Sequence, residues 1–120
     1  MTAVTPMQVE ERLRVLGKEL DDAHADLVAA ERLYFESKAN YEVGVAAARI
    51  RVGSRYAERG VKATVQEKED QALMEVAELL RAYYTAEAVV KAARANSVRV
   101  RTQIDIARSV GTSVRASLEM

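Results

Sequence analysis

The stretch SVRVRTQIDIARS, residues 97–109, decides the fold of this chain. Its valines and isoleucines alternate with arginine, glutamine and aspartate, and such a two-residue period is typical of a half-buried strand. The preceding segment KAARANS contains neither proline nor glycine, so nothing in it signals a break before a strand. We therefore predict a helix through residues 97–109, with Val100 and Ile104 in a buried seam and Val98 and Ile106 on flanking faces.

Two long series of apolar and small residues, spaced alternately three and four apart, support a helical interpretation of the whole chain. The first series runs from Leu13 to Ala48 and the second from Val65 to Val114. This spacing places each series along one side of a helix, as in a coiled coil. The sequence thus predicts an all-α protein.

The helix boundaries are predicted from capping residues. Thr5 precedes Pro6 and has a glutamine three residues later, which is the spacing of a helix start. Gly60 is suited to the left-handed turn that ends a helix, and Thr64 begins a second capping box. The predicted elements of a single domain, residues 1–120, are helix 1 at about 6–59, a turn at 60–64 and helix 2 at about 65–116.

Folding the two helices back on each other gives a long antiparallel two-helix hairpin. This arrangement pairs Tyr41 with Tyr83 and Leu20 with Ile104, so that one narrow seam is buried. It also matches charges, because residues 8–36 carry four basic and eight acidic side chains whereas residues 88–120 carry six basic and two acidic.

A single seam between two helices is a small core for a chain of this length. Apolar residues outside the seam therefore predict a homo-oligomer, since exposed apolar stripes commonly form subunit interfaces. The predicted interface residues are Leu73, Leu80, Tyr84 and Ile106, with Val45, Val52 and Phe35 as further apolar positions outside the seam.

The composition excludes several chemistries. The chain has no cysteine, one histidine (His24) and no glycine-rich phosphate-binding loop, so we expect neither an enzyme nor a bound metal or cofactor. No apolar run is long enough to span a membrane and no signal peptide is recognisable, so we expect a cytoplasmic protein. The formal net charge is zero, which leaves only local basic clusters as candidates for binding nucleic acid.

The most basic local segment, here called the tip cluster, lies beside the predicted turn. Basic side chains with an interleaved aromatic can follow a phosphate backbone and stack a base. The alternative is that the acids Glu67, Glu69 and Asp70, across the turn, neutralise the segment. The tip cluster consists of Arg49, Arg51, Arg55, Tyr56, Arg59 and Lys62; a second basic segment on helix 2 contains Arg99, Arg101, Arg108 and Arg115.

The run Val45–Ile50, followed by Ser54, resembles the UvsY-type phage recombination mediators. The family pattern is Lys-Ala-Arg-Leu before a polar turn. The resemblance implies an oligomeric protein of the host cytoplasm that binds single-stranded DNA and loads a RecA-like recombinase in place of a single-strand-binding protein. The family's DNA-contacting arginine corresponds to Arg49, but its lysine corresponds to Ala47, so that contact is absent or is made by Arg51 or Arg55.

Two other classes of protein compete with this interpretation. One is a structural homo-oligomeric hairpin, such as a phage assembly or scaffold component that binds no nucleic acid. The other is a secreted helical hairpin of the type VII class, for which Tyr83 and Glu87 supply a Tyr-x-x-x-Glu motif. The chain lacks the Trp-x-Gly turn that the latter class requires.

Overall fold

The computed structural model describes residues 3–119 and is helical over that range except at residues 3–5, at residues 60–64 and at Val76. Its helices are α1 (Pro6–Arg59), α2 (Val65–Glu75) and α3 (Ala77–Glu119), and no strand occurs among the described residues. Residues 97–109 lie within α3, which confirms the helical prediction. Val100 and Ile104 are buried, while Val98 and Ile106 are 60% and 58% exposed.

Both ends of α1 form as their capping residues predict. The Thr5 N–H donates to Gln8 Oε1 (2.9 Å) and the Gln8 N–H donates to Thr5 Oγ1 (3.2 Å), which completes a capping box. After Arg59 the chain turns at Gly60, whose φ of 63° lies in the left-handed region. The Val61 N–H then donates to the Tyr56 carbonyl (3.3 Å) and satisfies one of the free carbonyls at the helix end.

The second half of the chain differs from the prediction of one helix over 65–116. Thr64 Oγ1 accepts from the Glu67 N–H (3.1 Å) and starts α2 as expected. At Val76, however, φ and ψ are −110° and 20°, outside the helical region, and its N–H donates to the Leu73 carbonyl three residues back (3.2 Å). The helix resumes at once as α3, with the Leu80 N–H donating to the Val76 carbonyl (3.0 Å).

The chain divides into two compact units, Met1–Ala29 with Lys91–Met120, and Ala30–Val90. In the second unit, α1 packs antiparallel to α2 and the start of α3 around a buried cluster of small and β-branched residues. Val45 (5% exposed) and Val52 (0%) belong to this core, so the prediction that they lie outside the seam is wrong. The other buried members are Ala48, Ala72 and Val76.

Close approach of the helices in this unit depends on Gly44. A Cβ atom at Gly44 would lie 2.6 Å from Leu79 Cδ1 and 3.6 Å from Val76 Cγ1. Gly44 therefore lies directly opposite the start of α3, beside the break at Val76. Any side chain at this position has to displace Leu79.

The first unit is built in the same way from the start of α1 and the C-terminal part of α3. Leu16 and Val100 are completely or almost completely buried, and Ile104 and Ala107 complete the cluster, with Leu13 and Leu20 packed against it. The antiparallel order expected from the sequence holds here. Leu20 and Ile104 belong to one core.

Candidate nucleic-acid interface and assembly surfaces

The tip cluster is largely occupied by ion pairs. The Arg49 guanidinium donates to both carboxylate oxygens of Glu69, with Nη2 2.7 Å from Oε1 and Nε 2.9 Å from Oε2. These hydrogen bonds hold the pKa of Glu69 below its usual value, and the Glu69 carboxylate raises the pKa of Arg49. Arg49 is thus held against the protein by a two-pronged contact.

A second carboxylate, Glu75 at the end of α2, contacts two tip arginines. Arg51 Nη2 lies 3.5 Å from Glu75 Oε2, and Arg55 donates to Glu75 Oε1. Sequence reasoning expected neutralising acids across the turn and named Glu69 correctly, but it missed Glu75. Its position directly before the seam residue Val76 was the available signal, since that position places a side chain beside the facing helix.

The other two expected acids serve local structure. Asp70 Oδ1 accepts from the Gln66 side-chain amide (2.7 Å), and Glu67 lies in the first turn of α2, where an acidic side chain is favoured by the helix dipole. Neither forms an ion pair with a tip arginine among the described residues. The charge balance at the tip therefore rests on Glu69 and Glu75.

The remaining residues of the tip cluster differ in accessibility. Arg59 and Lys62 are exposed, and neither has an ion-pair partner within residues 3–119. Tyr56 is half-buried and packs against the core cluster of its unit. Its ring is already partly covered, so Arg59 and Lys62 are the more accessible groups at the tip.

The basic segment on α3 is less neutralised than the tip. Arg99 donates to Asn96 Oδ1 (2.9 Å) and Arg115 Nε donates to the Gly111 carbonyl (3.4 Å), and both acceptors are uncharged. Arg101 and Arg108 are exposed and form no ion pair with any described residue. Arg101 and Arg108 therefore keep cationic groups available to solvent on α3.

The four predicted interface residues fall into two pairs. Leu73 and Leu80 are half-buried, and Leu73 packs against the core of its own chain. Tyr84 (61% exposed) and Ile106 (58%) are open to solvent. Ile106 also lies at an apolar groove of about 280 Å³ lined by Val4, Val9 and Val110, among others.

An aromatic cluster surrounds Tyr83. Its ring centroid lies 5.7 Å from those of Tyr34, Tyr41 and Tyr84, so Tyr41 faces Tyr83 as the hairpin pairing predicts. Hydrogen bonding with Tyr34, together with burial, raises the pKa of Tyr83 to about 12. Phe35, 60% exposed, extends the cluster through an edge contact with Tyr34 (5.3 Å).

No arrangement typical of a metal centre occurs in the described part of the chain. Residues 3–119 contain no group of three or more histidine, cysteine, aspartate or glutamate side chains placed to hold a metal ion, and His24 is exposed. Within the same range no helix is both long and apolar enough to cross a bilayer.

Comparison with known proteins adds no relative. No family model matches the sequence, and neither the curated proteins nor the solved structures give a match.

Proposed function

We propose that the protein is a non-enzymatic structural component, in which copies of a helical hairpin assemble into a homo-oligomer. The observation that carries this proposal is the set of large apolar side chains left open on the helices. Ile50 (71% exposed), Val43 (70%) and Tyr84 (61%) are typical of them. Repeated exposure of such side chains along ordered helices is characteristic of surfaces that other protein chains cover.

The state of the tip cluster favours this function over nucleic-acid binding. Arg49, Arg51 and Arg55 already have carboxylate partners. A phosphate backbone would have to displace Glu69 and Glu75, and those carboxylates would then repel it. A basic segment that is neutralised within its own chain is better suited to stabilising the hairpin.

The test is the mass of the protein in solution, measured by sedimentation velocity or native mass spectrometry. We expect the wild type to be larger than one chain and Tyr84→Ser to shift the mass towards the monomer with its helix content retained. Val65→Ser is a matched control, because Val65 is 86% exposed and lies outside the predicted interface. A monomeric wild type at all concentrations would overturn the proposal.

A second candidate function is the single-stranded DNA-binding recombination mediator. It is favoured by the exposed cations that lack a carboxylate partner among the described residues, Arg59 and Lys62 at the tip and Arg101 and Arg108 on α3. In an oligomer these groups would be repeated and would gain affinity through multivalency. Its protein partners would be a RecA-like recombinase or a single-strand-binding protein.

Fluorescence anisotropy with a labelled oligo(dT), at low and at moderate salt, separates the two candidates. A mediator should bind with a strong salt dependence, because displaced counterions supply much of the affinity. Glu75→Gln should then strengthen binding by freeing Arg51 and Arg55. Absence of binding at low salt, for both wild type and Glu75→Gln, would eliminate the mediator.

A further inference from the structure

A second periodic stripe, distinct from the buried seam, lies on α1 in the unit Ala30–Val90. Its positions again alternate by three and four residues, and four of the six are apolar. Leu33 is 50% exposed, Val43 70% and Ile50 71%. The stripe, called here the α1 stripe, consists of Leu33, Glu36, Asn40, Val43, Ala47 and Ile50.

A corresponding stripe, called here the α2–α3 stripe, crosses the break at Val76 in the same unit. Leu73, Ala77 and Leu80 are half-buried and Tyr84 is exposed, so a row of apolar surface remains open after the intrachain core has formed. The spacing is the same as in the α1 stripe. Each stripe thus has the pattern of one half of a coiled-coil seam.

The two stripes lie on opposite flanks of the antiparallel helix pair. Asn40 and Ala47 each directly precede a seam residue, whereas Leu73 and Leu80 each directly follow one. Successive residues of an α-helix are rotated by about 100°. In an antiparallel pair, residues that precede the seam on either helix share one flank, and residues that follow it share the other.

The seam contacts within one chain show which stripe positions lie at the same height along the helix pair. Tyr41 faces Tyr83, and Gly44 lies against Leu79. Because the helices are antiparallel, a step of one residue towards the N-terminus of α1 and a step of one residue towards the C-terminus of α3 lead in the same direction along the pair. Asn40 is therefore level with Tyr84, and by the same step Val43 is level with Leu80.

We propose that copies of the chain assemble side by side at the same height, with the α1 stripe of one copy packed antiparallel against the α2–α3 stripe of the next. This arrangement deepens the proposed function and rests on it. The interface is heterologous, because it joins two different surfaces. Each copy therefore offers one free stripe on either flank for continued assembly.

The apolar side chains of the two stripes match in this register. Val43 faces Leu80, and four residues further along α1 Ala47 faces Ala77. The next layer pairs Ile50 with Leu73 of the neighbouring copy. Small side chains on both sides of the middle layer let the two backbones approach, so that the larger aliphatic side chains on either side of it can interdigitate.

The polar position of the α1 stripe favours the same pairing. Asn40 is exposed within one chain, and in this register it faces Tyr84, whose hydroxyl can donate to the Asn40 side-chain oxygen. An amide buried without a partner is costly, so this hydrogen bond favours the register in which Asn40 faces Tyr84.

Charge limits the interface at one end. In the next layer beyond Asn40 and Tyr84, Glu36 of one copy faces Glu87 of the next. Like charges placed opposite each other oppose burial, so this layer stays open to solvent. The apolar contact therefore extends from Asn40 to Ile50 on α1 and from Leu73 to Tyr84 on the neighbouring copy.

The level register also rules out a helical filament, in which successive copies are shifted along the axis. Neighbouring copies have no axial step between them when Val43 of one packs against Leu80 of the other. A closed ring requires this absence of a step, whereas a helical filament has one. The turns at residues 60–64 of all copies then lie on one side of the ring.

Cysteine crosslinking tests the arrangement directly, because the natural chain contains no cysteine. Val43→Cys and Leu80→Cys are purified separately, mixed in urea, refolded together and treated with a short thiol crosslinker. We expect a crosslinked dimer from the mixture and none from either variant alone. Ile50→Cys refolded with Leu73→Cys should crosslink as well, because only the antiparallel direction satisfies both pairs.

The matched control is Glu42→Cys refolded with Leu80→Cys. Glu42 directly follows the seam residue Tyr41 and lies on the other flank of α1, so this mixture should give no dimer. A dimer from Val43→Cys alone would show a two-fold α1 interface and overturn the arrangement. An assembly in which neither mixed pair crosslinks would also overturn it while leaving the proposed function intact, and a monomeric wild type would overturn both.

Discussion

Replacing Leu16 with alanine tests whether the thin core between the helices stabilises the fold as its burial indicates. Leu16 has no exposed surface and packs with Val100, Ile104 and Ala107. The substitution removes about three carbon atoms from the core, at ~0.8 kcal/mol each. A residual cavity adds to this loss, but a core only two helices thick can partly close around it. We therefore expect a loss of about 3 kcal/mol, near the lower end of the range for buried leucines.

The measurement is urea unfolding followed by far-UV circular dichroism, at one fixed protein concentration because assembly adds to apparent stability. Val15→Ala is the matched control. Val15 is the preceding residue and is 39% exposed, so its truncation should change the free energy of unfolding by no more than about 0.5 kcal/mol. Equal midpoints for the two variants would refute the assignment of Leu16 to a stabilising core.

Most of the helical architecture could be predicted from the sequence because its determinants are local. The alternating valines and isoleucines of residues 97–109 suggested a strand, yet the three-four spacing continued through them without a glycine or proline. In the structure Val100 and Ile104 are buried and Ile106 is exposed. The longer period therefore decided the structure, because a helix buries a stripe whereas a strand buries every second residue.

The wrong predictions concern residues whose burial or backbone conformation is decided by packing between the helices and not by the local spacing of apolar residues. After Tyr41 the seam of α1 can continue to Gly44 or to Val45, and both choices keep a three-four rhythm. The structure buries Val45 and then Val52, and Gly44 also faces the second helix, where Leu79 occupies the space beside it. The break at Val76 has no glycine or proline nearby in the sequence, and it lies close to Gly44 across the helix pair.

The sequence predicted which residues form the tip cluster, but not which of its arginines are held in ion pairs. A count of charges indicated that acidic residues would face the tip arginines, and Glu69 does so. Which carboxylate reaches Arg51 and Arg55 depends on the course of the chain where α2 ends. The position of Glu75 directly before the seam residue Val76 places it beside the facing helix, but the arginines that it contacts depend on the break at Val76, because Glu75 is the last residue of α2.

Two further predictions concern substitutions of single residues. Gly60→Ala should lower the free energy of unfolding by about 1 kcal/mol, because φ is 63° at this residue. Gly53→Ala should raise it by about 1 kcal/mol, because the position is helical and a Cβ there meets no atom within 4 Å. Urea midpoints that move in the same direction for both variants would contradict this prediction. The last prediction concerns Tyr83, whose pKa is raised to about 12 by hydrogen bonding with Tyr34 and by burial. Between about pH 10 and about pH 12 the unfolded chain loses this proton while the folded chain retains it, so the free energy of unfolding falls as pH rises through that window. Urea midpoints measured across this window should therefore fall less steeply in Tyr83→Phe than in the wild type, because phenylalanine has no proton to release, and equal slopes would show that the Tyr83 hydroxyl is not coupled to folding.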